Sequence, residues 1–310
     1  MKNATFRQLQ LFESIVRSGS YTGAAEELHL TQPTVSMQIK KLSGLVGAPL
    51  FEQLGKRVFL TDAGKELLEA SREIFGAMSR FEMRMADMKG IKQGNLNLTG
   101  VTTAEYFAPR ILGAFCQIYP GIKVSLTVTN RERVLRRLTA NEDDLYIVGQ
   151  PPADMDLVMT PFLENPLVVL APPDHPLVGV KKIPLEVFAE ERFIMREPGC
   201  GTHIALDRIL SKRNLAFKSC MELGSNEAIK QAVAGKLGVS TLSAYALSHE
   251  LQTGELAILD VEGFPLEYHW YIAYPRGKQL SVVAQTFFDY LMSEGKKLTQ
   301  RHLPRLDQPA

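Results

Sequence analysis

The sequence predicts an α/β protein built in two parts. An all-α N-terminal head with a helix-turn-helix and a small hairpin comes first, then a long helix leading into a larger α/β region. Three observations carry this reading. Residues 20–42 read as two short helices around a tight break. Residues 67–88 place mostly apolar side chains at alternating steps of four and three. From Asn95 onward, short apolar strands alternate with helices, the pattern of a mostly parallel sheet. At 310 residues, 45% hydrophobic and 22% charged, the chain has core enough for two or three domains.

The first helix is expected over residues 5–17, where Phe6, Leu9, Phe12, Ile15 and Val16 recur at helical spacing behind a Thr5 cap. Gly19 and Ser20 close it and cap the next helix, at about 22–28, whose small Ala24 and Ala25 allow another helix to approach closely. The break falls at His29, Leu30 and Thr31. Pro33 then suits the first turn of a second helix, where its missing N–H has no intrahelical partner, with Thr31 or Gln32 as the cap. Val35, Ile39 and Leu42 form an apolar back. Thr34, Ser36, Gln38, Lys40 and Lys41 form a front that donates hydrogen bonds and carries no acid. Such a front suits the DNA major groove, although a helical hairpin inside a core would share the two helices. Two short apolar runs flank Gly55, Lys56 and Arg57 and read as a wing, its basic tip placed for phosphate or a minor groove. Thr31, Gln32, Pro33, Thr34, Ser36, Gln38, Lys40, Lys56 and Arg57 are therefore the candidate DNA contacts. Charge adds little. Residues 1–60 hold seven Lys/Arg against four Glu, a balance of +3 in a chain of net charge +1.

Residues 62–89 read as one long helix with Thr61 or Asp62 at its start and Gly90 at its end. Leu67, Ser71, Ile74, Met78, Phe81, Met85 and Met88 make a heptad seam, polar only at Ser71, which favours pairing with a second copy. A paired head could read two half-sites about one DNA turn, or a multiple, apart. The boundary follows at 90–94. Strands are expected at 96–101, 123–129, 145–148, 167–171, 193–195, 219–223, 238–242 and 268–274. Helices are expected at 108–119, 131–140, 202–212, 226–234, 244–250 and 282–293. Pro151, Pro152 and Pro161 interrupt the rhythm, and residues 298–310 are expected to be a flexible tail. No apolar run reaches the roughly 20 residues of a membrane span, the N-terminus lacks the run of a signal peptide, and Cys116, Cys200 and Cys220 are sparse and far apart. Cytoplasmic localisation, with no membrane partner, is the expectation.

In open α/β sheets ligands collect at the carboxyl ends of strands, where loops and helix N-termini offer free N–H groups. Thr102 and Thr103, Asn130 after Thr129, and Gln150 after Gly149 follow three such strands. The turn from Arg196 through Pro198, Gly199, Gly201 and Thr202 follows a fourth, and Asn226 after Ser225 a fifth. These are the candidate ligand contacts, although each alone equally fits a plain cap or turn, and the helix N-terminus near Thr202 favours an anion. Gly199-Cys200-Gly201 is not a dinucleotide fingerprint, because Ile204 stands where a third glycine is needed, and no P-loop lysine follows. His29, His175, His203, His249, His269 and His302 form no metal-ligand spacing, and no nucleophile elbow is present. Neither a metal, a cofactor nor a catalytic residue is expected.

Several stretches resemble the LysR-type transcriptional regulators: Ala24-Ala25, Leu28, Thr31-Gln32-Pro33, Val35-Ser36, Gln38-Ile39, Leu42, Pro49-Leu50-Phe51, Arg57, and Leu60-Thr61-Asp62-Ala63-Gly64. Ser43 and Gln53 depart from that pattern, where Glu and Arg are frequent. The resemblance implies a winged helix-turn-helix (1–61), a dimerising linker helix (62–89) and a periplasmic-binding-protein-like effector domain (93–297). Subdomain I is then 93–162 with 267–297, and subdomain II is 163–266. It also implies promoter DNA, a small-molecule effector, RNA polymerase and a homo-oligomer, dimer or tetramer, as partners. Thr102 to Arg110, Thr127 to Arg131, Asp143 to Tyr146 with Gly149 to Pro152, and Met195 to Gly199 resemble the subgroup controlling carbon-dioxide fixation operons. Such regulators respond to phosphorylated or nucleotide metabolites, although His203 stands where a more basic residue is expected. The same regulator type serving another operon is the alternative. A solute-binding protein, or an enzyme on the same metabolite, is a more distant one.

Overall fold

The computed structural model describes residues 4–54, 57–87, 93–150, 155–300 and 303. The chain divides into two compact units, Met1–Glu82 and Met83–Ala310.

In the first unit, α1 (Phe6–Ser18), α2 (Tyr21–Glu27) and α3 (Gln32–Val46) pack around Leu11, Phe12, Ile15, Ala24, Val35, Ile39 and Leu42, all buried. Thr5 and Gln8 form a reciprocal capping box on α1, and Ser20 Oγ accepts the Gly23 N–H at 3.0 Å to start α2. Thr31 holds the N-cap position of α3, but its side chain caps nothing and instead shares a hydrogen bond with Thr34 at 2.8 Å. Pro33 in the first turn supplies the start. Glu27 ties the first two helices together, accepting from Ser14 Oγ at 2.9 Å and pairing with Arg17. Then β1 (Phe51–Leu54) and β2 (Arg57–Leu60) pair antiparallel, Phe51 opposite Leu60.

Helix α4 (Asp62–Asp87) starts against this hairpin. Thr61 Oγ1 accepts the Gly64 N–H at 3.0 Å and donates to the Pro49 carbonyl at 2.6 Å. Gly64 is required by proximity, since a Cβ there would stand 2.2 Å from the Leu50 carbonyl oxygen. The expected seven-residue seam divides in two. Leu67 joins the head core, and Ser71, fully buried, donates to Glu13 at 2.6 Å, which accounts for its polarity. Ile74, Met78, Phe81 and Met85 are exposed along the rest of the helix, while Met88 lies outside the described residues.

The second unit holds two five-stranded mixed sheets. One has the order β4-β3-β5-β12-β6, from β3 (Gly94–Val101), β4 (Ile122–Thr129), β5 (Leu145–Val148), β6 (Leu157–Glu164) and β12 (His269–Pro275). The other has the order β11-β7-β10-β8-β9, from β7 (Leu167–Ala171), β8 (Arg192–Arg196), β9 (Lys218–Leu223), β10 (Val239–Ser243) and β11 (Ala257–Leu259). The first sheet is covered by α5 (Ala108–Ile118), α6 (Arg131–Thr139) and α11 (Val282–Gln300); Phe115 and Phe287 meet edge-to-face at 5.1 Å. The second carries α7 (Leu185–Ala189), α8 (Gly201–Ser211), α9 (Asn226–Ala234) and α10 (Ser248–Thr253).

In each sheet one strand runs against its hydrogen-bonded neighbours: β7, where the chain first enters the second sheet, and β12, where it returns to the first. Two crossovers run side by side between the sheets. Asn165 N–H donates to the Tyr268 carbonyl at 2.7 Å, and Leu167 and Leu266 exchange hydrogen bonds at 3.1 and 3.0 Å.

Two strands differ from expectation. Pro161 lies inside β6 rather than ending a segment; this strand sits at a sheet edge, where a missing N–H is tolerated. The three-residue β11 has too short a pattern to read. Helix α11 also runs to Gln300, with Leu303 packed beyond it, so the expected tail begins later than 298 and otherwise falls outside the described residues.

Candidate functional site

The polar face of α3 is solvent-facing. Gln32, Pro33, Ser36 and Lys40 are exposed, and Thr34 and Gln38 half-buried, while the opposite face supplies Val35, Ile39 and Leu42 to the core. The back anchors the helix and leaves the front available to bases. Gln38 is not wholly free: its Oε1 accepts from Gln8 Nε2 at 3.2 Å, which orients the amide and leaves its own N–H groups to donate. Met37, 49% exposed, was not among the expected contacts. Of the basic wing pair, Lys56 lies outside the described residues. Arg57 opens β2 opposite Leu54, and its side chain is likewise outside the described set.

The second site lies where the two sheets of the larger unit face each other. A cleft of about 580 Å³, open mouth included, is lined by Thr102, Thr103 and Gln150 from one sheet and by Arg196, Gly201 and Thr202 from the other. All six were expected from strand ends. Gly100 allows the turn at 102–106 to fold back, because a Cβ there would come within 2.9 Å of the Ala104 Cβ. Four other expected contacts do not line the cleft. Asn130 is spent as the α6 N-cap, its Oδ1 accepting from the Arg133 N–H at 3.0 Å. Pro198 and Gly199 form an exposed turn, with Gly199 at a φ of 81°. Asn226 is buried behind the wall and accepts a hydrogen bond from Arg196.

Arg196, 4% exposed, is the most constrained charge in the cleft. Its Nε and Nη2 donate to the two carboxylate oxygens of Glu197 at 2.7 and 2.8 Å, and Nη2 reaches Thr102 Oγ1 at 3.5 Å. Burial works against its charge, but the hydrogen bonds it donates to Glu197 and the negative potential of its surroundings together outweigh that, so its pKa is held up. His203 braces the same residue from behind, with Nδ1 at 2.9 Å from the Arg196 carbonyl and Nε2 at 3.2 Å from Asp207.

Arg131 also lines the cleft and has no carboxylate partner among the described residues; it donates only to the Gln150 carbonyl at 3.4 Å. Burial depresses its pKa, as expected for a cation held out of water without a counter-ion. Helix α8 begins at the cleft, with Cys200 as N-cap and Gly201 and Thr202 in its first turn. Two arginines and a helix N-terminus together favour an anion.

Polar contacts also join the walls directly. Arg208 Nη1 donates to Gln150 Oε1 at 3.2 Å, and the Tyr106 hydroxyl to Glu227 at 2.7 Å. Glu227 in turn pairs with the buried Lys230, which also meets Glu250 at 2.7 Å. Sequence reasoning missed Arg131, Glu197, Cys200, Asn165, Ser243, Tyr268 and Trp270 in the lining. Arg131 follows directly after Asn130, and a helix's first residue beside a strand end was a usable signal. The last four belong to the crossovers and to strands beside them, whose return no local pattern reveals. Among the described residues no helix is long and apolar enough to cross a membrane, and no cluster of three or more metal-ligating side chains occurs.

Comparison with known proteins bears on both sites. Residues 6–65 match the bacterial regulatory helix-turn-helix protein model, lysR family, and residues 89–296 match the LysR substrate binding domain. The chain is 52% identical over 299 residues to the HTH-type transcriptional activator CmpR of Synechocystis sp., covering 96% of this chain and 98% of that protein. It is 45% identical over 293 residues to the RuBisCO operon transcriptional regulator of Acidithiobacillus ferrooxidans, covering 94% and 95%. The solved regulatory domain of Synechocystis CcmR, in complex with 2-PG, is 53% identical with a TM-score of 0.63, covering 65% of this chain and 97% of that one.

Proposed function

Because the chain belongs to the LysR family of DNA-binding transcriptional regulators, we propose that it controls carbon-fixation genes in response to a small phosphorylated anion bound between its two sheets. One observation carries the effector reading. The cleft gathers Arg131, Arg196, Thr102, Thr103, Gln150 and the first turn of α8, a set of donors suited to a phosphate or carboxylate. The names of its relatives support the target genes, and the bound 2-PG of CcmR supports 2-phosphoglycolate as a first effector to test.

In this reading Gln32, Pro33, Thr34, Ser36, Gln38 and Lys40 meet the promoter's major groove, with Thr31 at the helix start. Lys56 and Arg57 meet phosphates beside it. The exposed Ile74, Met78, Phe81 and Met85 of α4 pair with a second copy, so that two heads read two half-sites. Effector binding changes the relation of the two sheets, the linker helix relays it to the heads, and RNA polymerase at the promoter receives the outcome. The protein acts in the cytoplasm, with no cofactor besides the effector.

The test is a gel shift with the protein's own upstream DNA, with and without 2-phosphoglycolate. A sequence-specific shift is expected whose affinity falls steeply with salt, because phosphate contacts release counter-ions. Gln38→Ala should lose discrimination between sites, whereas Lys56→Ala should weaken all DNA alike. Absence of any specific shift sinks the promoter reading. An unchanged shift, with no heat of binding for any phosphorylated metabolite, sinks the effector reading.

A further inference from the structure

Which way a glutamine amide faces decides which base it can read, and in the head of this protein the backbone sets that direction. The Thr5 N–H can only donate. It donates to Gln8 Oε1 at 3.0 Å, while the Gln8 N–H returns to Thr5 Oγ1 at 3.2 Å. This capping box leaves the Gln8 amide one orientation, its oxygen toward Thr5 and its nitrogen away. Gln8 Nε2 carries only donors, and it meets the Gln38 side chain at 3.2 Å, so Gln38 has to offer its oxygen there. Exchanging oxygen and nitrogen in either amide sets donor against donor, at Thr5 or at Gln38.

The two glutamines lie 30 residues apart and differ in burial. Gln8 is 7% exposed and reaches from α1 to α3, too enclosed to meet DNA itself. Gln38 is half-buried, between the solvent-facing front of α3 and the buried Val35 and Ile39 of its back. With Oε1 drawn toward α1, its planar amide holds both N–H groups away from α1.

A glutamine free to turn pairs with adenine, accepting from N6 and donating to N7. An amide whose oxygen is engaged inside the head has only N–H groups to present. In the major groove these fit guanine, which offers acceptors at N7 and O6. The N6 amino group of adenine and the N4 amino group of cytosine oppose them.

We infer that Gln8 is a positioning residue for base recognition: relaying the direction of the Thr5 N–H, it fixes Gln38 as a donor and directs α3 to guanine at the base pair Gln38 meets. The inference rests on the reading above of α3 as the DNA-contacting helix with Gln38 among its base contacts. Gln8 never touches the DNA, yet its identity selects the base.

The test is selection of bound duplexes from a randomised DNA library by the full chain, sequenced to give the preference at every base pair. Gln38→Ala identifies the pair that Gln38 reads, as the position whose preference collapses. Wild type should favour guanine over adenine there by roughly 5- to 100-fold. Gln8→Glu is the decisive variant. Glutamate at the third helical position is a usual capping-box partner, so the Thr5 N–H keeps its acceptor. The second carboxylate oxygen then faces Gln38 and can only accept. The Gln38 amide turns over, its oxygen faces outward, and preference at that pair should move to adenine or cytosine while all other positions keep theirs. The added charge weakens every duplex alike, which the ratio at one pair does not register. Gln8→Met, close in size and without a polar group, should erase the guanine preference. Thermal unfolding identifies the variants that fold; if neither does, the wild-type preference at the Gln38 pair decides. Preference of wild type for any base but guanine at that pair overturns the inference. So does a guanine preference that folded Gln8 variants retain, Gln8 then only tying α1 to α3. A Gln38→Ala protein that keeps every preference removes Gln38 from the base contacts, and the inference with it, while specific binding stands. Enrichment of no sequence at all sinks the promoter reading itself.

Discussion

Replacing Glu197 by Gln should make the cleft bind anions more tightly, although it removes a contact. Glu197 holds Arg196 through two hydrogen bonds of 2.7 and 2.8 Å, and its carboxylate therefore occupies the position an effector anion would take on that guanidinium. Two opposite charges about 4 Å apart attract by roughly 4 kcal/mol at an effective dielectric near 20, and desolvation offsets much of it. The net worth of a charge-assisted hydrogen bond, about 1.5–3 kcal/mol, is the better measure of what an incoming anion must displace. Glutamine keeps the length and one acceptor oxygen but no charge. Calorimetry with 2-phosphoglycolate at low salt should then give binding about 10- to 100-fold tighter than wild type. Without ligand the variant should be less stable by about 1–2 kcal/mol, because Arg196 keeps one bond but loses its counter-ion. Added phosphate should restore its thermal midpoint more than it raises that of wild type. A folded Glu197→Gln protein that binds the anion no better, or worse, would refute the competition argument and make Glu197 a residue that positions Arg196.

Three further expectations follow from other parts of the chain. Gly64→Ala forces a Cβ to 2.2 Å from the Leu50 carbonyl and should destabilise the head by about 1–3 kcal/mol, seen as a lower midpoint in thermal unfolding with loss of DNA binding. Phe81→Glu places a charge on the exposed apolar stripe of α4, where Phe81 is 56% exposed, and sedimentation should show self-association weakened on the order of 10-fold or more; unchanged assembly would remove α4 as the seam. The Cys200 thiol is pushed up by burial, against the pull of Arg196, so it stays protonated at neutral pH and gains reactivity only as pH rises through that raised value. Alkylation at pH 7, followed by peptide mass mapping, should leave native Cys200 unmodified while the unfolded chain reacts; equal rates would contradict the burial argument.

Local patterns carried far in this chain. The head was legible because each helix announces itself: Thr5 before an apolar stripe, Ser20 before Ala24 and Ala25, and Pro33 before Val35, Ile39 and Leu42. Strand ends were legible for the same reason, and Thr102, Thr103, Gln150, Arg196, Gly201 and Thr202, each marked separately by such an end, meet in one cleft. Asn130 and Asn226 show the limit of that logic. A polar residue before a helix can face a ligand, cap its own backbone or hold a neighbour. Asn130 caps and Asn226 holds Arg196, and the sequence pattern is the same for all three.

The sequence by itself determined the order of elements and the polar, solvent-facing side of α3, because these depend on neighbours within a few residues. Tertiary structure alone decided which half of the heptad seam is free, since Glu13, 58 residues from Ser71, draws that part into the head. It also decided that two crossovers bring Asn165, Tyr268 and Trp270 into the lining of the cleft. Those outcomes depend on backbone segments about 100 residues apart meeting at hydrogen-bond distance, as Asn165 and Tyr268 do at 2.7 Å, and no periodicity along the chain encodes that meeting.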